Sequence, residues 1–492
     1  MNLKELKSGT DIRGVASDKG GSRVNLTDQA VCLLSKAFAK WLGDFTNKPI
    51  SDLRIAVGHD SRITAKQIKN NVIQSLIQMG VKVYDCSYAS TPAMFMTTVD
   101  LSVDGSVQIT ASHHPFDRNG LKFFTAKSGL DSKDISALIE LAENNDFAES
   151  DVLGTVENID YMSTYAANLR KIICDGVGKT EAQMPLSGYH IVVDASNGVG
   201  GFFATEVLEK LGADISGSRY LEPDGMFPNH IPNPEDKKAM QSICDAVLES
   251  GADLGVIFDT DVDRAGCVDA NGNEINRNRL IALAASIVLR ENPGATIVTD
   301  SVTSDGLKTF IEQDLKGVHY RFKRGYRNVI NKAVELCEQS INCPLAIETS
   351  GHAALRENYF LDDGAYLVTK IIIELANGND IEKTLKNLAT PKEEFEYRFK
   401  INADDFKNYG ETVINEFEKF CAAQDGFTIA DDNREGIRVS FPDGWFLLRL
   451  SVHDPILPFN IEANSIGACK PIIKRLTEFF AQFDKLDISC LK

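Results

Sequence analysis

The chain has 492 residues, of which 43% are hydrophobic and 25% charged, a composition typical of a globular protein with three or four domains. Its net charge of −18 opposes binding to nucleic acid or anionic membranes, so we expect neither as a partner. The ten cysteines form no C-x-x-C pair, the first residues lack the apolar region of a signal peptide, and no apolar stretch is long enough to span a membrane. We therefore expect a cytoplasmic protein with reduced thiols.

Short β-branched runs alternate with longer helical patterns along most of the chain. Residues 54–57, 65–79 and 81–84 are predicted to form a strand, a helix and a second strand, an order that favours a parallel sheet covered by helices. The repetition of this order indicates three related α/β units, with a single large doubly wound domain as the alternative. The strand, helix and second strand recur at 190–194, 198–211 and 213–216, and again at 296–300, 304–314 and near Tyr320.

The pattern changes after residue 390. The turn Pro442-Asp443-Gly444 is a hairpin signal between two predicted strands. Strands interleaved with two helices indicate a smaller α+β domain at this end of an α/β protein. The predicted strands are 395–401, 437–441, 445–450 and 459–463, and the predicted helices are 406–421 and 471–483. The predicted domains are 1–155, 156–270, 271–390 and 391–492.

Ser112 lies on a predicted tight loop at the carboxyl end of a strand, residues 106–110. Pro115 and Asn119-Gly120 are turn-forming residues, and open α/β sheets bind ligands at such strand ends. Two histidines and Lys122 lie within ten residues of the hydroxyl, and a nucleophilic serine needs a nearby base or cation. The alternative is a polar loop whose serine caps a helix.

Three aspartates follow the predicted strand 253–258. In an extended loop the side chains of Asp259, Asp261 and Asp263 face one way, which favours an oxygen-rich site for Mg²⁺, Ca²⁺ or Mn²⁺. An EF-hand is rejected because Arg264 stands where it needs glycine. Two alternatives stay open: a phosphatase of the haloacid dehalogenase type with Asp259 as nucleophile, and a solvated acidic turn.

Two further loops carry polar groups, of which the first suits a sugar, with a simple turn as the alternative, and the second suits a phosphate. Glu348 and Ser350 follow the predicted strand 344–347, and both can accept hydrogen bonds from sugar hydroxyls. Arg449 lies near the end of the predicted strand 445–450, and Ser451 and His453 follow that strand. All three can bind phosphate through charge-assisted bonds. Each of these signals is weak when taken alone.

Taken together, these loops resemble those of the α-D-phosphohexomutase family of phosphomannomutase/phosphoglucomutase type, in the family's order and across nearly the whole chain. The resemblance implies four domains around a central cleft, of which the first three share a mixed α/β sheet core. The matching motifs are Gly9–Gly14 (Asp-Ile-Arg-Gly signature), Thr110–Pro115 (phosphoserine loop), Asp259–Arg264 (metal loop), Glu348–His352 (sugar-specificity loop) and Arg449–Pro455 (phosphate-binding loop).

The resemblance also implies an activity, namely reversible transfer of phosphate between O6 and O1 of mannose or glucose. Phospho-Ser112 would phosphorylate the sugar monophosphate, and the reoriented 1,6-bisphosphate would return a phosphate to Ser112. A hexose 1,6-bisphosphate would serve as activator, each chain would bind one Mg²⁺, and the protein would be a monomer or homodimer. By resemblance the catalytic residues are Ser112, His113, Lys122, Arg13, Arg264 and His352, with Lys122 and His352 as general acid/base. By resemblance the metal ligands are Ser112, Asp259, Asp261 and Asp263. By resemblance the residues that bind the substrate are Glu348, Ser350, Arg449, Ser451 and His453.

The chain departs from the family's pattern at several positions. Thr260 and Val262 replace glycines common between the metal-binding aspartates, so that this loop need not adopt a positive φ there. His114 replaces an asparagine, and Val452-His453 alters the phosphate-binding loop.

Thr349 matches neither the methionine of the phosphomannomutase/phosphoglucomutase type nor the glutamine of the phosphoglucosamine type. We favour mannose and glucose phosphates over glucosamine phosphate. The alternatives are a phosphoglucosamine mutase, the phosphatase that uses Asp259, and a catalytically silent binding protein.

Overall fold

The computed structural model describes residues 2–145, 147, 150–451 and 454–491. These residues form two compact units. The first unit runs to Asn276 and includes Ser350–Lys383, and the second comprises Arg277–Thr349 and the chain from Thr384 onwards. Among the described residues, no helix has both the length and the apolar character needed to cross a membrane.

The first unit begins with a seven-stranded mixed sheet in the order β1-β2-β6-β5-β3-β4-β7. β3 pairs in parallel with β4 and β5, whereas β6 is antiparallel to β2 and β5. The strands are β1 (Lys7–Ser8), β2 (Asp11–Val15), β3 (Arg54–His59), β4 (Lys82–Tyr88), β5 (Gly105–Ile109), β6 (Arg118–Thr125) and β7 (Val156–Asn158). The helices are α1 (Asp28–Thr46), α2 (Ala65–Gln78), α3 (Thr91–Asp100) and α4 (Ser132–Asn144).

Helices cover both faces of this sheet. Neighbouring residues of a strand point to opposite faces, and Phe123 and Phe124 of β6 belong to different apolar clusters. Phe123 packs in the large cluster that α1, α2 and α4 share, whereas Phe124 packs against Phe95 of α3. The predicted strand–helix–strand order at residues 54–84 is therefore confirmed.

A second mixed sheet in this unit has the order β11-β10-β9-β8. β8 and β9 are parallel, and β9 leads into the acidic loop. Its strands are β8 (Ile191–Asp194), β9 (Leu254–Phe258), β10 (Ala265–Asp269) and β11 (Glu274–Ile275), and helices α5 (Tyr161–Val177) and α6 (Lys237–Ser250) accompany them.

Between these strands the structure differs from the prediction in the type of one helix and in the absence of one strand. The helix predicted at 198–211 is largely a π-helix, Phe203–Leu208, followed by a 3₁₀ turn, Glu209–Leu211. The strand predicted at 213–216 is wrong, because only Asp214 makes a β-bridge there. The Asp214 carboxylate instead accepts from the Ser216 N–H over 2.8 Å, a local turn bond that competes with strand pairing.

The segment of the first unit that begins at Ser350 contains an antiparallel pair of short strands, β15 (Ala353–Leu355) and β16 (Leu361–Asp362). Helix α10 (Gly364–Ala376) follows and packs against α5, where Gly176 approaches Ile373 so closely that a Cβ would lie 2.7 Å from it. Helix α11 spans Ile381–Leu385.

The second unit contains a set of three parallel strands and an antiparallel sheet. The parallel strands have the order β13-β12-β14, and the antiparallel sheet has the order β18-β19-β20-β21-β17-β22. The first set comprises β12 (Thr296–Thr299), β13 (Val318–Arg321) and β14 (Leu345–Ile347), with helices α7 (Arg277–Glu291), α8 (Asp305–Thr309, continued by a π-helix, Phe310–Asp314) and α9 (Tyr326–Glu338). The second set comprises β17 (Glu393–Ile401), β18 (Thr428–Ile429), β19 (Ile437–Phe441), β20 (Gly444–Leu448), β21 (Ile456–Ala463) and β22 (Leu486–Asp487), with helices α12 (Phe406–Ala422) and α13 (Cys469–Phe480).

The antiparallel sheet packs against α12 and α13 over a phenylalanine-rich core. The hairpin predicted at Pro442-Asp443 is confirmed, since Phe441 pairs with Gly444 across that turn. The predicted α+β character of this end of the chain is also confirmed.

Candidate active site

Ser112 lies just after β5, at the carboxyl end of a central strand of the first sheet. Its φ of +50° is a left-handed conformation that is costly for a residue other than glycine and concentrates at functional loops. The Ser112 N–H donates to Oγ1 of Thr110 over 2.9 Å, which stabilises this turn. The Ser112 hydroxyl donates to Oδ2 of Asp259 over 2.9 Å and accepts from Nη2 of Arg264 over 3.2 Å.

The three aspartates after β9 converge. Asp259, Asp261 and Asp263 are at most 1% exposed, and one oxygen of each lies within 4.8 Å of the others. Lys122 on β6 donates from Nζ to Oδ2 of Asp261 over 3.0 Å and to Oδ2 of Asp263 over 2.5 Å. The structure therefore brings together the serine, the aspartates and two cations, Lys122 and Arg264.

The cluster has the character of a cation site. Oδ1 of Asp261 and Oδ1 of Asp263 are buried and accept no hydrogen bond from the part of the chain that the structure describes. Buried carboxylate oxygens without donors are costly unless a cation satisfies them. Because every ligand atom offered is a carboxylate or hydroxyl oxygen, the site suits a hard divalent cation such as Mg²⁺.

The backbone of this loop contradicts one expectation. Val262 has φ of +68°, although the sequence suggested that no positive φ is needed where valine replaces glycine. A β-branched residue is strained in this region, so surrounding contacts must hold it there. The Gly364 N–H donates to the Val262 carbonyl over 3.1 Å, and a Cβ on Gly364 would lie 2.7 Å from the carbonyl carbon of Arg264. The turn that begins α10 therefore packs directly against the acidic loop and holds its conformation.

Burial and neighbouring charges shift the pKa values of Asp259 and Asp263 in opposite directions. Burial and the neighbouring carboxylates of Asp263 and Asp261 raise the pKa of Asp259 well above its usual range. Burial also acts to raise the pKa of Asp263, but Lys122 and His352 outweigh it and hold that pKa below its ordinary value. The two carboxyl groups therefore differ in how readily each gives up its proton.

His352 lies beside the aspartates. Its Nδ1 is 2.5 Å from Oδ2 of Asp362 and 4.0 Å from Oδ1 of Asp263, and its backbone bridges that of Arg264. Burial alone would lower the pKa of His352, but Asp362 and Asp263 raise it to about 9. His352 is therefore protonated at neutral pH and can donate a proton.

Three further residues that were discussed with the serine loop, or assigned to the same site by resemblance, are His113, His114 and Arg13. Nδ1 of His113 lies 3.4 Å from Ser112 Oγ. Burial lowers the pKa of His113 far below its usual value, and burial together with Arg13 lowers that of His114 to about 3, so both rings are neutral at pH 7. Arg13 donates from Nη2 to Oδ2 of Asp11 over 2.7 Å.

Three residues that the sequence analysis did not single out also contact this site. Arg62 donates to the Ser112 carbonyl, and Thr91 donates its hydroxyl to Oδ2 of Asp261. Asp362 orients the imidazole of His352. Ser90 caps the helix that begins at Thr91, but a capping residue gives no indication of a contact with the acidic loop.

The predicted sugar-binding loop begins in the second unit. Glu348 is buried and accepts the Gly325 N–H at Oε1 over 2.6 Å. Thr349 donates its hydroxyl to Oδ2 of Asp300 over 2.6 Å, so that this side chain is held by a buried carboxylate. Ser350 is buried and is the first residue of the later segment of the first unit.

The predicted phosphate-binding residues follow β20 in the second unit. Arg449 Nη1 lies 3.8 Å from Oε1 of Glu435, and burial lowers the pKa of Arg449. The Ser451 hydroxyl accepts a backbone N–H three residues further on, over 3.2 Å. Val452 and His453 lie outside the described residues.

Comparison with known proteins supports the family resemblance. Family models described as "Phosphoglucomutase/phosphomannomutase, alpha/beta/alpha domain I", "domain II" and "domain III" match residues 4–149, 164–272 and 276–393. The chain is 30% identical over 476 residues to the phosphoglucomutase of Neisseria gonorrhoeae, covering 96% of each chain. It is 30% identical over 464 residues to the phosphomannomutase/phosphoglucomutase of Pseudomonas aeruginosa, covering 92% of this chain and 91% of that relative.

A solved structure of similar fold extends over the same length. A phosphoglucomutase/phosphomannomutase family protein from Burkholderia thailandensis superposes with a TM-score of 0.81 at 25% identity and covers 98% of both chains. The three α/β/α domains with mixed sheets and the further sheet-rich C-terminal domain agree with the predicted four-domain α/β fold. The chain therefore belongs to the phosphoglucomutase/phosphomannomutase family of phosphohexomutase enzymes.

Proposed function

We propose that this protein interconverts hexose 6-phosphates and hexose 1-phosphates through phospho-Ser112 and a hexose 1,6-bisphosphate intermediate. The observation that carries the proposal is the position of the Ser112 hydroxyl, 2.9 Å from Oδ2 of Asp259 and 3.2 Å from Nη2 of Arg264. Phosphoryl transfer depends mainly on positioning and on neutralisation of the phosphate oxygens.

Asp259, Asp261 and Asp263, together with an oxygen of phospho-Ser112, would hold the Mg²⁺. The buried Oδ1 atoms of Asp261 and Asp263, which accept no hydrogen bond from described residues, support this assignment. When bound, Mg²⁺ supplies positive charge that neutralises the phosphate on the serine.

The chain's own residues would carry the remaining chemistry. In the first half-reaction a sugar hydroxyl attacks phosphorus, the P–Oγ bond of phospho-Ser112 breaks, and the hydroxyl proton passes to a base. In the second half-reaction the Ser112 hydroxyl gives its proton to a base and attacks the other phosphorus of the bisphosphate. The bond from that phosphorus to the sugar oxygen breaks, and the sugar oxygen takes up a proton. Lys122 and His352 are the proposed groups for moving protons to and from the sugar oxygens, and the raised pKa of His352 suits the donating role. Arg264 and Arg13 would stabilise the charge on the transferring group.

The rest of the substrate would be bound by other loops. Glu348 and Ser350 are proposed to accept hydrogen bonds from sugar hydroxyls, and Arg449, Ser451 and His453 to bind the phosphate that does not react. The sequence relatives named above are a phosphoglucomutase and a phosphomannomutase/phosphoglucomutase, which favours glucose and mannose phosphates as substrates over glucosamine phosphate.

The alternative of an Asp259-dependent phosphatase finds less support. Oδ2 of Asp259 already accepts hydrogen bonds from Ser112 and Arg264, which makes this oxygen less available as a nucleophile. Ser112, by contrast, has its hydroxyl beside a guanidinium that can bind a phosphate on the same oxygen.

Intact-mass measurement and activity assays together test the proposal. Incubation with a hexose 1,6-bisphosphate should add the mass of one phosphate to the wild type and none to Ser112→Ala. Coupled assays should detect turnover of glucose and mannose phosphates that requires Mg²⁺ and is stimulated by the bisphosphate. A phosphate found on Asp259 instead, or no turnover of any hexose phosphate, would overturn the proposal.

A further inference from the structure

We propose that Arg62 is a positioning residue for phosphoryl transfer, because its guanidinium fixes the backbone of the Ser112 loop and thereby the direction in which a phosphate on Ser112 points. This inference rests on the proposed role of Ser112 as phosphate carrier. Arg62 reaches the loop through carbonyl oxygens, whereas the Ser112 hydroxyl contacts Asp259 and Arg264.

The four terminal N–H groups of Arg62 are all directed at this loop. Nη1 donates to the carbonyls of Pro115 and Arg118 over 2.7 and 2.8 Å. Nη2 donates to the carbonyl of Ser112 and, over 2.6 Å, to that of His114. One planar group thus holds four peptide carbonyls at a common point, and the orientation of each peptide plane follows from it.

Arg62 is itself rigidly held. Its side chain is fully buried, and Nε lies 3.3 Å from Oδ2 of Asp60. Asp60 also accepts the Arg62 N–H at Oδ1 over 2.9 Å. The guanidinium carbon lies 5.3 Å from the centre of the Phe227 ring. The guanidinium therefore has a balancing carboxylate and a fixed plane, which an adaptable surface arginine would lack.

The loop needs such support because its conformation is unfavourable by itself. Ser112 has φ of +50°, a conformation that is unfavourable for serine and that surrounding contacts must offset. The bond from the Ser112 N–H to Thr110 holds only one side of the turn. Arg62 holds the other side, at the carbonyls of Ser112 and His114.

Lysine cannot reproduce this arrangement. An ammonium group has three donors on a flexible stem and lacks the planar fork that serves four acceptors at once. Arg62→Lys keeps the charge beside Asp60 but releases part of the loop. A misplacement of about 1 Å in a reacting group can slow a reaction about 10²-fold. We expect Arg62→Lys to lower kcat by about that factor, with KM for the hexose phosphate nearly unchanged because Arg62 lies behind the loop.

The matched control is Arg321→Lys. Arg321 is also buried, and it donates to the hydroxyl of Thr303, the carbonyl of Ser304 and the carboxylate of Asp305, none of which has a proposed role in the reaction. This variant should lose thermal stability much as Arg62→Lys does and keep its kcat.

The test uses full-length protein phosphorylated by a hexose 1,6-bisphosphate. Single-turnover transfer from phospho-Ser112 to glucose 1-phosphate gives the rate, and the ³¹P resonance of the phosphoserine reports its surroundings. We expect slow transfer and a shifted or broadened resonance in Arg62→Lys only. Wild-type transfer rates in Arg62→Lys, or equal slowing in both variants, would refute the positioning role alone. A wild type that carries no phosphate on Ser112 would instead refute the proposed function, and this inference with it.

Discussion

Replacement of Lys122 by methionine should lower the melting temperature of the metal-free protein and increase the rise in melting temperature that Mg²⁺ produces. Lys122 Nζ lies 3.0 Å from Asp261 Oδ2 and 2.5 Å from Asp263 Oδ2, with all three side chains buried. Removing one partner of a buried ion pair costs roughly 3–5 kcal/mol. At roughly 2 °C per kcal/mol for a large unit, the metal-free Lys122→Met protein should melt about 6–10 °C below the wild type.

Magnesium should restore much of that loss. Two unit charges about 4 Å apart repel by roughly 4 kcal/mol at an effective dielectric constant of 20, so removal of the Lys122 ammonium favours a cation among the same carboxylates. A ligand that binds only the folded state raises its stability in proportion to the logarithm of its concentration over Kd. The rise in Tm on adding Mg²⁺ should therefore be larger in Lys122→Met than in the wild type.

Differential scanning calorimetry with EDTA measures the loss of melting temperature, and the same measurement with Mg²⁺ gives the magnesium-induced rise. Neither measurement requires activity. Lys69→Met is the matched control, since Lys69 Nζ lies 2.7 Å from Oδ2 of Asp85 and both side chains are mostly buried. The control should lose stability equally with and without Mg²⁺. A magnesium-induced rise no larger in Lys122→Met than in the wild type would show that the two cations do not share these carboxylates.

Three further substitutions test other contacts of the site. Thr91→Val removes the hydroxyl that orients Asp261 and should weaken Mg²⁺ binding about 10-fold, measured by thermal shift against Mg²⁺ concentration, whereas Thr91→Ser should keep the wild-type affinity. Asp362→Asn removes the carboxylate that most raises the pKa of His352 to about 9, so the alkaline limb of the kcat/KM profile should move towards neutral pH; an unchanged limb would exclude His352 as the proton donor. Gly120→Ala would place a Cβ 2.2 and 2.8 Å from two backbone oxygens, and a loss of about 1–3 kcal/mol on urea unfolding is expected, whereas an unchanged midpoint would contradict the close approach.

Local sequence patterns predicted those parts of the site that lie directly after a single strand. Ser112 and the aspartates were found because an apolar strand followed by turn-forming or acidic residues marks the carboxyl edge of a sheet. Those loops occur where they were expected, after β5 and β9. The domain boundaries predicted near residues 155, 270 and 390, and the roles assigned to individual site residues, stay predictions.

Contacts between distant segments had no local signal. Thr91 meets Asp261 across 170 positions of sequence, and Arg62 meets the Ser112 carbonyl across 50. Such pairs depend on strand order and on how the sheets pack, which periodicity does not encode. Val262 illustrates the same limit, because its positive φ is imposed by the turn at Gly364 and not by its own preference.

The charge balance of the buried cluster should link the proposed phosphorylation of Ser112 to the proposed binding of a metal ion. The carboxylates of Asp259, Asp261 and Asp263 face the cations Lys122 and Arg264, so the unprotonated cluster carries an excess of negative charge. A phosphate on Ser112 adds a charge of about −1.5 to −2, which this cluster would oppose on its own. A divalent cation adds an equal charge of opposite sign, so the two together leave the net charge nearly unchanged. Because coupling between two binding events is reciprocal, phosphorylation of Ser112 should strengthen magnesium binding as much as magnesium stabilises the phosphoserine.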